Sequence, residues 1–512
     1  MNQLYITLVG VDPATGIITP GAIGGAAESW DISDDGLTYT FHLRQGFSWS
    51  DGVPVTAQDF AAAWDAITDP AVETPLVFLT DSISDVTAVD DSTVQVTFTS
   101  NSCEALNDAG LRPLPSHLYT DGNYAVLNDQ NYDTPDALEI GPYQLASQIP
   151  DQQTGLIPAE QDFPDGNATN DGYILRVVGD QTIQIETFLA GETDVLNFAP
   201  VDRRSDLRAA ADAGDVQIYP FSPGNAWDYI GYNQANPDNP QEAYDENGNP
   251  IPVDPNPFFA DVRVRQALSM AVDVQSIIQG AVFGEGSAMQ SIYAPGTWVY
   301  NDQVPFYNYD PAAAAALLDE AGWVDDDGDP STPRVAKGAM YAEDGTPMTF
   351  TLYTNQGNTR RTAIGQIVQD QWSAIGVGVQ FQTIDFNVLI DLLDSQTYDA
   401  FILGWQNSYP FRADSSQLFA TGSDTFGGSN SESYHNAEVD ALFQQAVTVP
   451  GCDTAARKAI YDQIQQILHD DAVYTYLYSI DGLYSWQNTV QGVDPYPAAL
   501  YYNLQGWQKV TP

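Results

Sequence analysis

The sequence predicts a mixed α/β protein of two lobes, on three observations. Its 512 residues exceed the roughly 250–300 at which a single hydrophobic core stops growing. Runs of period two, typical of half-buried strands, alternate with runs of helical period along the whole chain. A Tyr-rich, strand-like run over residues 473–478 continues that alternation late in the chain.

Each element has a local cause. Residues 28–44 read as a strand end, a turn at Asp34-Asp35-Gly36 and an alternating strand over 37–43. Thr56 caps a helix over 58–67, in which Phe60, Trp64 and Ile67 recur at helical spacing. Asp69-Pro70 stops that helix. Residues 93–99 alternate again, while 151–171, rich in Pro, Gly and Asp, read as a surface connection. A strand over 173–178, a helix over 182–190 and a strand beginning at Val195 form a β-α-β pattern, which predicts parallel pairing. The polar run 234–257 reads as a long loop. A helix from about Asp261 turns Val262, Leu268 and Val272 inward. Helices and strands follow over 277–282, 310–321, 350–353, 361–375 and 377–383, then 437–446 and 455–470. In 311–318 the alanines favour helix and Leu317 and Leu318 supply apolar surface. The chain carries no fixed-period repeat.

With 43% hydrophobic and 12% aromatic residues the chain can bury a large core, which excludes wholesale disorder. Its net charge of -53 arises from 69 acidic against 16 basic residues. Such a surface repels phosphate backbones, so nucleic acid is excluded as a partner. Two environments fit the charge, high ionic strength or an acidic exterior; the ordinary 17% charged content weighs against the first. Cys103 and Cys452 read as two separate buried thiols, with a long-range disulfide as the alternative in an oxidising compartment. No apolar stretch approaches the roughly 20 residues that span a bilayer. Met1-Asn2-Gln3-Leu4-Tyr5 has no leader-like basic and apolar regions.

Catalytic signals are thin. His42, His117, His435 and His469 stand singly, and no zinc-protease, nucleophile-elbow or phosphate-loop motif occurs. Asp325, Asp327 and Asp329 have calcium-loop spacing, but Pro330 and Ala336 stand where a Gly and a bidentate Glu are needed. A solvated acidic turn is therefore the preferred reading, with calcium the weaker one. No cofactor is expected. The enzyme reading that remains is a hydrolase using an acidic pair, which two convergent carboxylates with a raised pKa would mark.

Binding signals are stronger. The apolar run 401–405 ends in Gly404 and Trp405, and Gln406-Asn407-Ser408 follow. A turn leaving a buried strand exposes Trp area together with amide donors and acceptors. Trp227, Tyr229, Gln356, Asn358, Arg360 and Arg412 are further candidate contacts, the arginines for an anionic group.

Several phrases occur in a family order. They are Glu28-Ser29-Trp30 through Phe60, Gly141-Pro142-Tyr143, Asp261-Val262-Arg263-Val264-Arg265-Gln266-Ala267-Leu268, and Tyr434-His435-Asn436 with Val439, Asp440 and Leu442. Together they resemble the family 5 extracellular solute-binding proteins of peptide and nickel ABC importers. The resemblance implies a two-lobed periplasmic-binding-protein-like fold of type II with a ligand cleft between the lobes. It places lobe I at 1–229 (an extra subdomain at about 13–148), lobe II at 230–482 and a return segment at 483–512. It further implies a monomer that breaks no bond. That monomer captures an oligopeptide or similar solute by lobe closure and hands it to a transmembrane permease. The location implied is extracytoplasmic, by lipid tether or free secretion. Residues 2–9 resemble an interior segment of the family, so the chain is expected to begin late, without its export signal. Where the family carries an Asp that binds a peptide's amino group, this chain has Ser408, with Asp414 near enough to substitute after a loop shift. That departure keeps open a blocked peptide, an oligosaccharide or another neutral solute. A sensor or adhesin on the same scaffold is a third class.

Overall fold

The structure, a computed structural model, describes residues 3–130, 137–178 and 180–510. Asn2, where the N-terminal family phrase starts, lies outside the described residues. The chain divides into two compact units. Unit 1 holds Met1–Tyr219, Ser408–Arg412 and Leu483–Pro512; unit 2 holds Pro220–Asn407 and Ala413–Gly482.

Unit 1 opens with the expected hairpin, β1 (Ala27–Ile32) and β2 (Thr38–Leu43), paired antiparallel. Beyond α1 (Ala57–Thr68), β3 (Ile83–Asp90) and β4 (Thr93–Phe98) complete a sheet of order β1-β2-β4-β3. A capping box starts α1: the Asp59 carboxylate accepts the Thr56 N–H at 2.8 Å. The same carboxylate, nearly sealed from solvent, accepts the Ser116 N–H at 2.9 Å and its hydroxyl at 2.7 Å. One side chain thus starts the helix and pins a distant loop. Phe60, Trp64 and Ile67 bury with Phe41, Val94 and Val96 in one core, as the helical spacing requires.

A short α2 (Ala105–Asp108) precedes an antiparallel meander of β5 (Tyr143–Ile149), β6 (Gln153–Pro158) and β7 (Tyr173–Arg176). The 151–171 connection is therefore corrected: it contains a strand, brought beside β5 by the tight turn between them. Next come α3 (Gln181–Leu189), β8 (Val195–Leu196) and α4 (Arg204–Ala213). The predicted parallel β-α-β unit does not form. β7 pairs antiparallel with β6, and β8 pairs antiparallel with a late strand at Ser485 and Trp486. Alternating periodicity reports element type, whereas pairing direction depends on which edge lies free nearby.

Unit 2 is built on a sheet that the long β9 (Val216–Tyr232) enters from unit 1. Residues 234–257 contribute only isolated bridges, as a loop should. Then follow α5 (Val262–Met270), α6 (Val274–Val282), β10 (Gly286–Ala288), α7 (Pro311–Glu320) and a hairpin of β11 (Trp323–Val324) and β12 (Val335–Ala336). The remaining elements are β13 (Thr349–Asn355), α8 (Thr359–Ser373), β14 (Gly378–Ile384), α9 (Phe386–Asp394), β15 (Ala400–Gln406), α10 (Ser416–Phe419), α11 (Ala437–Val447), α12 (Thr454–Asp470) and β16 (Tyr474–Gln487). Strand order is β10-β16-β9-β15-β13-β14. β13 runs parallel to both β14 and β15, with α8 and α9 as the crossovers, and β15 runs antiparallel to β9. Arg265 of α5 is buried and donates to the carbonyls of Phe259, Asp471 and Ala472. Burial pulls its pKa down to about 10.

The chain re-enters unit 1 through the end of β16, then β17 (Val490–Gln491) and β18 (Gln508–Lys509). Val490, Leu500, Leu504 and Trp507 pack on Tyr143, Leu145 and Leu156. The Asn170 amide donates to the Leu504 and Trp507 carbonyls at 3.1 and 3.0 Å, fastening this return.

All four histidines pair with aspartate: His42 with Asp31, His117 with Asp51, His435 with Asp424 and His469 with Asp470. The reading of the cysteines as separate buried thiols is corrected. Cys103 and Cys452 are both disulfide-bonded and only partly buried, a state that sequence separation cannot reveal. No helix among the described residues is long and apolar enough to cross a membrane.

Asp59→Ala strips an acceptor from four donors at once: the Thr56 N–H, the Ser116 N–H and hydroxyl, and the Trp49 indole N–H. Its stability, read from the urea midpoint, is expected to fall by about 2–4 kcal/mol.

Candidate functional site

Unit 2 gathers the candidates where β13 and β15 end beside β9 and the first turn of α8. β15 pairs with β9 in the register Trp405↔Trp227, Gly404↔Asp228 and Leu403↔Tyr229. Because side chains alternate along a strand, this register sorts them onto two faces.

One face is aromatic. Tyr229 stacks on Tyr474 at 4.0 Å, Trp227 lies 5.3 Å from Tyr229, and Phe401 meets Tyr229 edge-on at 5.6 Å. Trp227 and Tyr229 are 4% and 2% exposed, so the expectation that their rings face a ligand is corrected. They are interior aromatics, held there by neighbours on β15 and β16. Trp405 ends the same face only half-buried, its indole N–H directed at the Tyr229 hydroxyl without reaching a formed bond.

Under these rings lies Glu432, 0% exposed, against the backbone of Gly231. A Cβ at Gly231 would sit 2.6 Å from Glu432 Oε1, so only glycine admits the carboxyl. Burial pushes this carboxyl up to about 8, and the nearby Asp424 adds to the rise. Asp424 itself, also buried, is bonded to Gln396, Ser433 and His435. Both carboxyls are sealed from solvent.

The other face holds a charge cluster. Asp228, 2% exposed, accepts from Arg360 Nε at 2.8 Å, Arg361 Nε at 3.1 Å and the Tyr478 hydroxyl at 2.8 Å. Burial raises its pKa, but the two guanidiniums more than offset this and hold it below the ordinary carboxylate value. Arg360, expected to meet a ligand directly, is thus bound first to Asp228. One carboxylate against two guanidiniums leaves one positive charge over, within a chain of net charge -53. Gly404 makes the close approach feasible, since a Cβ there would stand 2.5 Å from Asp228 Oδ1 and 2.4 Å from the Trp227 carbonyl.

The remaining candidates separate. Asn358 is the N-cap of α8, and its side-chain oxygen accepts the Arg361 N–H at 3.1 Å. Gln356 is exposed just before it. Asn407 is half-buried, with its N–H on the Asn225 carbonyl at 2.8 Å. Ser408 and Arg412 belong to unit 1. There the exposed Ser408 hydroxyl accepts the Arg412 N–H at 3.0 Å, and the Arg412 guanidinium pairs with Asp108 at 2.9 Å. Asp414 caps the N–H of Ser416 at 3.0 Å.

Asp325, Asp327 and Asp329 are engaged by their own loop. Each accepts a backbone N–H of its own loop, from Gly328, Asp329 and Ser331 respectively. Among the described residues no three His, Cys, Asp or Glu side chains are grouped to hold a metal ion. The sequence reading passed over Asp228, Tyr478 and Glu432. An acidic residue between Trp227 and Tyr229, the single charged residue of that strand, was the available signal for the first.

A family profile described as bacterial extracellular solute-binding proteins, family 5 Middle, matches residues 22–427. The oligopeptide-binding protein AppA of Bacillus subtilis (strain 168) is 25% identical over 513 residues, covering 99% of this chain and 86% of the relative. The dipeptide-binding protein of Escherichia coli (strain K12) is 26% identical over 478 residues, covering 89% and 80%. Among solved structures, AppA from Bacillus subtilis with a nonapeptide superposes with a TM-score of 0.77 at 24% identity, over 100% of this chain and 94% of that one. NikZ from Campylobacter jejuni with Ni(L-His) gives 0.78 at 22%, over 99% and 94%. At these identities the structures speak for the fold.

Asp228→Asn would leave two guanidiniums half-buried without a counter-charge. A loss of about 3–5 kcal/mol is expected by chemical denaturation. Glu432 carries the opposite sign from a salt-bridged acid. Its folded pKa lies above the ordinary glutamate value of 4.5, so it binds a proton in the folded state that the unfolded chain releases. Stability drains as pH rises from 4.5 through about 8. Glu432→Gln should melt like wild type near about pH 4 and above wild type near about pH 9, by calorimetry.

Proposed function

Because this chain belongs to the bacterial extracellular solute-binding proteins of family 5, we propose that it is the substrate-binding component of an ABC importer. It captures an oligopeptide or similar organic solute outside the cytoplasm and delivers it to the membrane permease. The family match over residues 22–427 carries this reading. Similarity to an oligopeptide-binding and a dipeptide-binding protein along most of the chain supports the solute class. The family is one of binding proteins, and capture needs no bond to break.

Within this proposal Trp405 is the contact surface. It alone of its aromatic face is half-buried, and a Trp ring offers flat apolar area. Asn407 and the Gly404 backbone supply amide groups beside it. The surplus charge of Arg360 and Arg361 suits an anionic group on the solute, such as a carboxylate. Closure of the lobes on the solute shifts an existing equilibrium by the difference in affinity between open and closed forms. A lipid tether and a monomeric state belong to the same proposal.

Ser408 favours a second reading of the solute. It is exposed, and its hydroxyl is bonded to the Arg412 N–H. A neutral hydroxyl cannot balance a buried ammonium, whose unpaired burial is expensive. A blocked peptide or neutral solute fits this position better than a peptide with a free amino terminus.

Native mass spectrometry of protein purified from its natural medium is expected to reveal one copurified solute. In titrations with that solute, Trp405→Ala should bind at least about tenfold more weakly with its fold intact, the loss of about 1.4 kcal/mol. Unchanged affinity would remove Trp405 from the site, and turnover of the solute by pure protein would overturn the binding role.

A further inference from the structure

In a chain of 69 acidic and 16 basic residues, a local excess of positive charge runs against the composition. It occurs where α8 begins, at the ion pairs of Asp228 with Arg360 and Arg361. Other ion pairs keep the opposite balance. Arg44 and Arg334 each meet a carboxylate of their own, Asp165 and Asp319, and Arg203 meets two, Glu186 and Asp206. Asp228 instead serves two guanidiniums. Burial works against its charge, but the guanidiniums prevail and Asp228 stays ionised.

The two guanidiniums are fixed along one edge and open along another. Arg360 spends Nε and Nη2 on Asp228, at 2.8 and 3.3 Å. Arg361 spends Nε on Asp228 at 3.1 Å and Nη1 on Asn355 Oδ1 at 3.0 Å. Nη1 of Arg360 and Nη2 of Arg361 make no hydrogen bond to a described residue. Neither is among the partnerless atoms sealed from solvent, and the two side chains are 19% and 14% exposed. Held donors of this kind lose little freedom when an anion arrives. Arg361 Nη2 stands 3.0 Å from where a Gly404 Cβ would lie, beside the backbone that runs on into Trp405.

We propose that Asp228 is a specificity-determining residue: by cancelling one of two guanidinium charges, it sets this subsite to favour a monoanionic carboxylate over neutral and dianionic groups. The inference rests on the solute-site reading above and narrows it. One carboxylate matches the single charge left over and takes the open N–H donors. A neutral amide can accept the same hydrogen bonds but gains no charge pairing. A second negative charge finds no cation here and meets Asp228 at short range, in a chain that already repels anions. A purely structural Asp228 would govern stability and leave the order of these ligands alone.

Benzoate, benzamide and phthalate share one ring and differ in charge, so they are the probes. The full chain is titrated with each near neutral pH at constant ionic strength, following the Arg360 and Arg361 side-chain N–H signals by NMR. Benzoate should shift both signals saturably and bind at least about tenfold more tightly than benzamide and about threefold more tightly than phthalate. Asp228→Asn leaves two charges over, and phthalate should then overtake benzoate. Arg360→Gln leaves none, so benzoate should fall to the level of benzamide; this variant decides the matter should Asp228→Asn fail to fold by circular dichroism. Unmoved arginine signals, phthalate equal to benzoate on wild type, an unchanged order in folded Asp228→Asn, or benzoate still ahead of benzamide in Arg360→Gln would each overturn the proposal. A copurified solute together with unmoved arginine signals sinks this inference and spares the importer reading. The predicted probe order without any copurified solute upholds the role of Asp228 and counts against that reading alone.

Discussion

The buried Asp228 carboxylate, shared between two guanidiniums and a tyrosine hydroxyl, is the interaction on which the second unit depends. It ties β9 to the first turn of α8 through Arg360 and Arg361, and to β16 through Tyr478. A lone carboxylate at this depth would be neutralised or expelled. Two partners keep it charged, and the glycine opposite keeps the distance short. The register of β9 against β15 then follows, because a slip of one residue would bring a side chain onto the carboxylate.

That register sends the aromatic residues to one side and the charges to the other. On the aromatic side the rings of β9, β15 and β16 enclose Glu432, kept as a neutral acid at neutral pH. Only Trp405, at the end of the ladder, stays partly open. A rigid aromatic interior ending in one accessible ring is a sound base for binding, because the ring's position is set before any solute arrives.

The acidic composition has a structural role beyond surface charge. Asp180, Asp261, Asp273, Asp310, Asp385 and Asp453 each accept a hydrogen bond at a helix N-terminus. There a carboxylate satisfies an otherwise unpaired N–H and meets the positive end of the helix dipole. Asp12, Asp35, Asp90, Asp245, Asp327 and Asp329 fold back on their own turns, and those bonds hold their pKa values low. This explains why aspartate serves here, with a chain short enough to reach the neighbouring backbone.

The sequence by itself determined whatever acts over a few residues. The hairpin at Asp34-Asp35-Gly36, the capped helix after Thr56 and the family phrases from Glu28 to Leu442 were all legible, and so was the family. Tertiary structure alone decided that β7 and β8 pair antiparallel, that Trp227 and Tyr229 lie inside, and that Arg360 answers to Asp228. The physical reason is range. Turn and cap chemistry is complete within one helical turn, whereas Arg360 and Asp228 are 132 residues apart and meet only because the folded sheet carries them to one face.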